Sequence, residues 1–137
     1  MQIHFDNINL SQSTVDYKLI LNNDGLGKLI FSGVYKQGSK GNVDGYFMEA
    51  VVNCTIKHEL VKSLIVDLQD VDYTWGNTII NTMSLLSAAN IPVAIIYGEK
   101  SKGIVNGDES FFVRTELEAL DVINRLSLSK NLSNPLK

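Results

Sequence analysis

Three carboxylates stand close together at Asp67, Asp70 and Asp72, at and just beyond the end of an apolar run over residues 63–68. Oxygen ligands in such a group would suit magnesium, and the carboxyl end of a parallel strand is where open α/β sheets bind ligands. No further oxygen ligand or phosphate motif joins them, so a solvated turn with Asx-type hydrogen bonds is the simpler reading, and no metal is assigned. The stretch 36–45 mixes Gly38, Ser39, Lys40, Gly41 and Asn42. That is the composition of a phosphate loop without its spacing, and no Lys-Ser/Thr pair opens the next helix. It reads as a loop between strand and helix. His4 and His58 have no metal-ligand spacing, and His58 continues an apolar helical stripe. Cys54 is the only cysteine. It excludes an intrachain disulfide and a cysteine cluster, and reads as a small buried residue of a helix. No Ser–His–Asp set occurs in a workable order. No catalytic residue and no cofactor are assigned, and the chain reads as non-enzymatic.

The most distinctive segment is Tyr73-Thr74-Trp75-Gly76-Asn77, which holds the only tryptophan. Thr74 could cap a following helix, and Gly76 would let the backbone pass close to a neighbour. Exposed, Tyr73 and Trp75 would anchor a protein partner; buried, they would close the end of the core, and burial is the preferred expectation for the two rings.

The elements that must position these residues centre on residues 63–97. Residues 63–68 read as a fully buried strand, 69–74 as a turn, and 75–90 as a helix with Ile79, Ile80, Met83 and Leu86 on one face. The helix breaks at Ile91-Pro92, and 93–97 read as a second apolar strand. This is a βαβ unit, whose right-handed crossover leaves the two strands parallel. Upstream, residues 15–21 and 28–35 flank Asn22-Asn-Asp-Gly25 and predict a β-hairpin. Residues 2–10 predict a short edge strand or an arm. A helix is expected over 45–61, with Asp44 as N-cap and Phe47, Ala50, Val51, Cys54 and Val61 inward. Downstream come a polar loop over 98–110 holding Gly103 and Gly107, with a short helix at 101–105, and a short strand at 111–113. Thr115-Glu-Leu-Glu118 is a capping box; it opens a helix with Leu117, Leu120, Ile123 and Leu126 on one face. Residues 1–126 thus predict one α/β domain: a small mixed sheet with an N-terminal hairpin, parallel central strands and helices. Residues 127–137, polar and carrying Pro135, predict a flexible tail.

Composition narrows the function classes. The chain has 137 residues, 45% of them apolar, enough for one core, and 15 acidic against 12 basic side chains give a net charge of −3. No basic stripe marks a nucleic-acid surface or adsorption to anionic lipid. The start of the chain shows no secretory signal, no stretch reaches the length of a membrane span, and a cytoplasmic location is the expectation.

In this order the elements resemble a STAS domain, the family of anti-sigma-factor antagonists and sulfate-transporter tails, over roughly residues 17–126. Leu64-Ile-Val-Asp-Leu-Gln-Asp-Val-Asp72 is similar to the family's central strand and short turn. Ala89-Asn-Ile-Pro-Val-Ala-Ile-Ile-Tyr-Gly98 is similar to its helix end and next strand. Phe111-Phe-Val-Arg-Thr-Glu-Leu-Glu-Ala-Leu120 is similar to the entry of its last helix. The family typically carries Asp-Ser-Ser/Thr-Gly after the central strand, where a hydroxyl accepts phosphate from a partner kinase. Here Gly76 stands for the family glycine, Trp75 occupies the hydroxyl's place and Thr74 lies one place early. The resemblance implies a bacterial regulatory domain without chemistry of its own. It would bind a protein through Tyr73, Thr74, Trp75, Gly76 and Asn77, the partner being a regulatory kinase or sigma-factor regulator, with Thr74 the candidate phosphorylation site. The alternative is a small acidic inhibitor, such as an immunity protein that neutralises a basic toxin. A homodimer through hairpin edges or helix faces is compatible with either. An enzyme or ligand-binding protein using the three aspartates and the 36–42 loop is a third reading. The ClpP/crotonase superfamily is set aside because its spiral needs more chain.

Overall fold

Alternating apolar and polar residues over Val15–Leu21 (β2) and Leu26–Tyr35 (β3) make the hairpin, in register from Val15 opposite Gly33 to Leu21 opposite Gly27. The Asn22 side chain accepts from the amides of Asp24 and Leu26, both at 2.9 Å, and so closes the turn. The computed structural model describes residues 1–8, 12–105 and 111–133. Gly107 and Pro135, singled out in the sequence, and the end of the 2–10 stretch lie outside these residues.

Among the described residues a six-stranded sheet in chain order forms the frame. Gln2–Ile3 (β1) is the edge strand, antiparallel to β2, which is antiparallel to β3. From β3 onward the sheet is parallel, through Ser63–Tyr73 (β4), Val93–Ile96 (β5) and Phe112–Val113 (β6). The helices are Asn42–Ile56 (α1), Ile79–Ser87 (α2) and Glu116–Ser133 (α3). Among the described residues no helix is long and apolar enough to cross a membrane.

α1 and α2 bury one sheet face, with Leu19, Leu29, Phe31, Tyr35, Leu64, Val66 and Leu68 beneath Met48, Val51, Val52, Ile79 and Leu86. α3 covers part of the other face, where Ala119, Val122 and Ile123 pack on Ile65, Ala94, Ile96 and Val113. β5 is buried on both sides, as its unbroken apolar run predicts.

Several expectations are corrected. β4 does not end at Leu68 but runs on to Tyr73, with a β-bulge at Leu68 and Gln69 where its partner strand passes from Ile30 to Ser32. Asp67 opposes Ile30 and Asp70 opposes Ser32, so Leu68 and Gln69 share Phe31 as their opposite number. The extra residue returns Val71 and Tyr73 to the same core as Leu68. A simple alternation count cannot see it. α1 begins at Asn42, with Asp44 in its first turn and completely buried rather than capping. Its inward residues include Met48, Val52 and Thr55, while Ala50 and Cys54 are half-buried. The Thr115 hydroxyl caps the helix as the capping box predicts, accepting from the Glu118 amide at 3.1 Å, while the Glu118 carboxylate accepts from that same hydroxyl at 3.0 Å. The helix it opens continues to Ser133, past the expected start of a tail at 127, and it turns Leu117 outward. A short 3₁₀ turn at Lys102–Ile104 replaces the expected helix at 101–105.

Candidate functional site

The segment between β4 and α2 is displayed at the carboxyl end of the parallel strands and held by several specific contacts. Trp75 is 58% exposed, which overturns the expected burial. Thr74 and Asn77 are exposed, and Tyr73 and Gly76 are half-buried. The helix begins at Ile79, not at residue 75. The backbone groups that would have started it earlier are engaged elsewhere. The Trp75 carbonyl accepts from the Gly38 amide at 3.3 Å, and the Gly76 carbonyl accepts from the Tyr73 hydroxyl at 2.7 Å.

The 3₁₀ turn Gly38–Gly41 braces the segment from below. Gly38 sits at φ +61°, in the left-handed region that favours glycine, and a Cβ there would lie 2.7 Å from the far edge of the indole. The far edge of the Trp75 ring therefore lies against Gly38 while more than half of the residue stays exposed. The glycine-rich stretch of the sequence thus serves as a ledge for the indole, and its Lys36 is turned inward to Asp44.

Tyr35 and Tyr73 pack edge to face beneath, centroids 5.1 Å apart. The Tyr35 hydroxyl is buried without a well-formed hydrogen bond. It lies close to Gly45 and Thr78, where a Cβ on Gly45 would be 2.7 Å from both the hydroxyl oxygen and the Thr78 Cβ. Burial, then the nearby Tyr73 and Asp44, push the Tyr35 phenol up to about 12. Burial also raises the Tyr73 phenol, against the opposing effect of its bond to Gly76. Both rings stay neutral near pH 7 and act as hydrogen-bonding and packing groups.

Asp44 ties this end of the sheet together. Its Oδ1 accepts from Ser13 Oγ (2.9 Å), the Thr14 amide (2.9 Å) and Lys36 Nζ (3.0 Å), and its Oδ2 from the Lys36 amide (2.8 Å). Burial is the largest single influence and opposes ionisation. The Lys36 amide and ammonium, the Thr14 amide and the Ser13 hydroxyl together outweigh it and hold the carboxyl below its usual range.

Sequence reasoning missed Thr78. It is the N-cap residue of α2, and its hydroxyl donates to Asn42 Oδ1 at 2.6 Å, joining α2 to α1. A threonine immediately before Ile79-Ile80 is itself an N-cap signal. Thr74, expected to cap the helix, stands well before it.

On the other side of the segment a groove of about 590 Å³ runs between α2 and the chain before β6. Ile79, Ile80, Met83, Ile104, Val105 and Phe111 give it apolar walls, and among the described residues no charged side chain lines it. Ile80, expected inward, is 57% exposed at its lip, and Thr82 takes the buried position. The three aspartates do not converge. Asp67 accepts from the Gln69 amide and side chain, while Asp70 and Asp72 are exposed on β4. Among the described residues no group of three or more His, Cys, Asp or Glu side chains forms a metal site.

With this geometry in hand, the fold superposes on that of the anti-sigma factor antagonist SpoIIAA in its unphosphorylated form, at a TM-score of 0.50. The match covers 80% of this chain and 98% of that one, at 13% sequence identity. The fold is STAS-like. No protein-family model and no curated protein matches the sequence. At this identity the likeness concerns architecture: an antiparallel entry to a sheet that becomes parallel, with helices on its faces. In this STAS-like frame the connection after the central strand carries an indole, and the hydroxyl at the N-cap position, Thr78, bonds to Asn42 of α1 rather than to an amide of its own helix.

Proposed function

We propose that this chain is a non-enzymatic regulatory module that binds a protein partner through Tyr73, Thr74, Trp75, Gly76 and Asn77 and the start of α2. The observation that carries the reading is the exposure of the only tryptophan on a braced platform. An indole held over backbone costs little entropy to immobilise, and aromatic anchors of this kind dominate interface energies. Ile80 and the apolar walls of the groove beside it extend the same surface. The fold likeness to an anti-sigma factor antagonist supports a partner among regulatory kinases or sigma-factor regulators. Thr74 is exposed, which supports it as the modified residue, and phosphate there would place charge beside the indole and weaken an apolar contact.

A second reading, a small acidic inhibitor of a basic toxin, is favoured by exposed Asp70 and Asp72 on β4, with Glu99 nearby. Affinity capture of the tagged chain from its own cells separates the two. A kinase or sigma regulator recovered with the wild type and lost with Trp75→Ala supports the first reading. A basic toxin whose capture survives Trp75→Ala and fails with Asp70→Lys supports the second. Identical recoveries from wild type and Trp75→Ala would overturn the proposed surface. Mass spectrometry of the same material tests for phosphate on Thr74.

A further inference from the structure

Helix α3 carries two apolar stripes, and the sheet takes only one of them. Ala119, Val122 and Ile123 are buried against β4, β5 and β6. At 3.6 residues per turn, Leu117, Leu120, Asn124 and Leu128 fall on the opposite side. Leu117 is 80% exposed, the most of any large apolar side chain among the described residues; Leu128 is 62% exposed and Leu120 lies at the margin. Asp121 and Arg125 flank this stripe on one side and pair with each other at 3.2 Å, both largely exposed.

We propose that this stripe is a self-association face, on which two copies of the chain pack α3 against α3 antiparallel about a two-fold axis. Charge decides the occupant and the orientation. An antiparallel two-fold lays each flank of the helix on the same flank of the second copy, in reversed order. Leu117 then meets Leu128 of the second copy, and Asp121 meets its Arg125, so two reciprocal ion pairs flank the apolar seam. A parallel arrangement would set Asp121 and Arg125 against the opposite flank, which carries Leu120 and Ser127, and would form neither pair. Asn124 lies near the centre, where a polar residue fixes register at some cost in affinity. From Leu117 to Leu128 the stripe is about 17 Å long. It offers less than the roughly 800 Å² per partner of a standard interface, so the pair is weak and concentration-dependent. The face lies on the other side of the sheet from α2, so its test is independent of the partner surface proposed above.

Sedimentation velocity of the full chain, from low-micromolar to near-millimolar concentration, should show reversible monomer–dimer exchange. Leu117→Glu, Asp121→Arg and Arg125→Asp should each weaken it about tenfold or more, since each places a desolvated or repelling charge twice in one interface. Circular dichroism melts check that these exposed substitutions leave the fold intact. An equimolar mixture of D121R and R125D should recover association as a heterodimer, because every like-charge contact between copies becomes an opposite one. A purely structural effect of the substitutions would not be rescued by mixing. A monomer throughout the range, or a dimer indifferent to Leu117→Glu, overturns the proposal. A mixture no stronger than either variant alone overturns the antiparallel arrangement.

Discussion

Asp44 and Trp75 lie at the same end of the sheet and have opposite characters. Asp44 is a fully buried carboxylate with five donors from two separate stretches of chain. Trp75 is a large apolar ring left more than half in water, on a segment secured through its backbone. In each case the usual preference of the residue type is reversed. A buried charge is tolerable only when its bonds are satisfied, so Asp44 reports on scaffold. An exposed indole does not contribute its full burial energy to folding, so Trp75 reports on a surface. The difference separates what holds the site from what the site displays.

The largest expected effect breaks the scaffold side. Asp44→Ala should cost about 3 kcal/mol, because it leaves two backbone amides without their acceptor and the Lys36 ammonium without its counter-charge. A melt should shift down by about 10 °C. The loss should be global, since the carboxylate joins the starts of β2 and α1 to the end of β3.

Acid sharpens the same point. A carboxyl whose folded pKa is depressed contributes stability that is present above its unfolded value, about 3.9, and lost as pH falls through the folded value. Denaturant unfolding should therefore show a steep loss of stability in that window below about pH 4. Asp44→Asn, already weaker at pH 7, should show a shallower one; equal slopes in the two proteins would place the acid sensitivity elsewhere.

On the surface side the effects on folding shrink. Gly38→Ala should cost about 1 kcal/mol for a side chain in the left-handed region and should push the indole off its ledge, read as a change in tryptophan emission. Trp75→Ala should change stability by less than about 1 kcal/mol, as exposed substitutions do, while removing partner capture. A loss of several kcal/mol would make the indole part of the core after all. Tyr35→Phe is the smallest: removing a buried hydroxyl that lacks a good partner should be neutral within about 0.5 kcal/mol or slightly stabilising.

The sequence was most legible where the signal is local. The hairpin around Asn22–Gly25, the βαβ unit, the proline break at Pro92 and the Thr115–Glu118 capping box all follow from residues a few positions apart. The candidate site was found as a segment but misread in its particulars. The helix starts at Ile79 because Gly38 and Tyr73, distant or on the preceding strand, engage the backbone of Trp75 and Gly76. Asp44 looked like a cap because its donors, Ser13, Thr14 and Lys36, come from other elements.

The sequence by itself determined which segments alternate, which turn and which run apolar, because propensity and periodicity belong to near neighbours on the chain. Only the tertiary structure decided which of two apolar stripes on α3 meets the sheet, where β4 bulges, and that Trp75 stays in water. Each of those outcomes depends on which surface arrives from elsewhere in the chain, and burial is a relation between surfaces rather than a property of a residue.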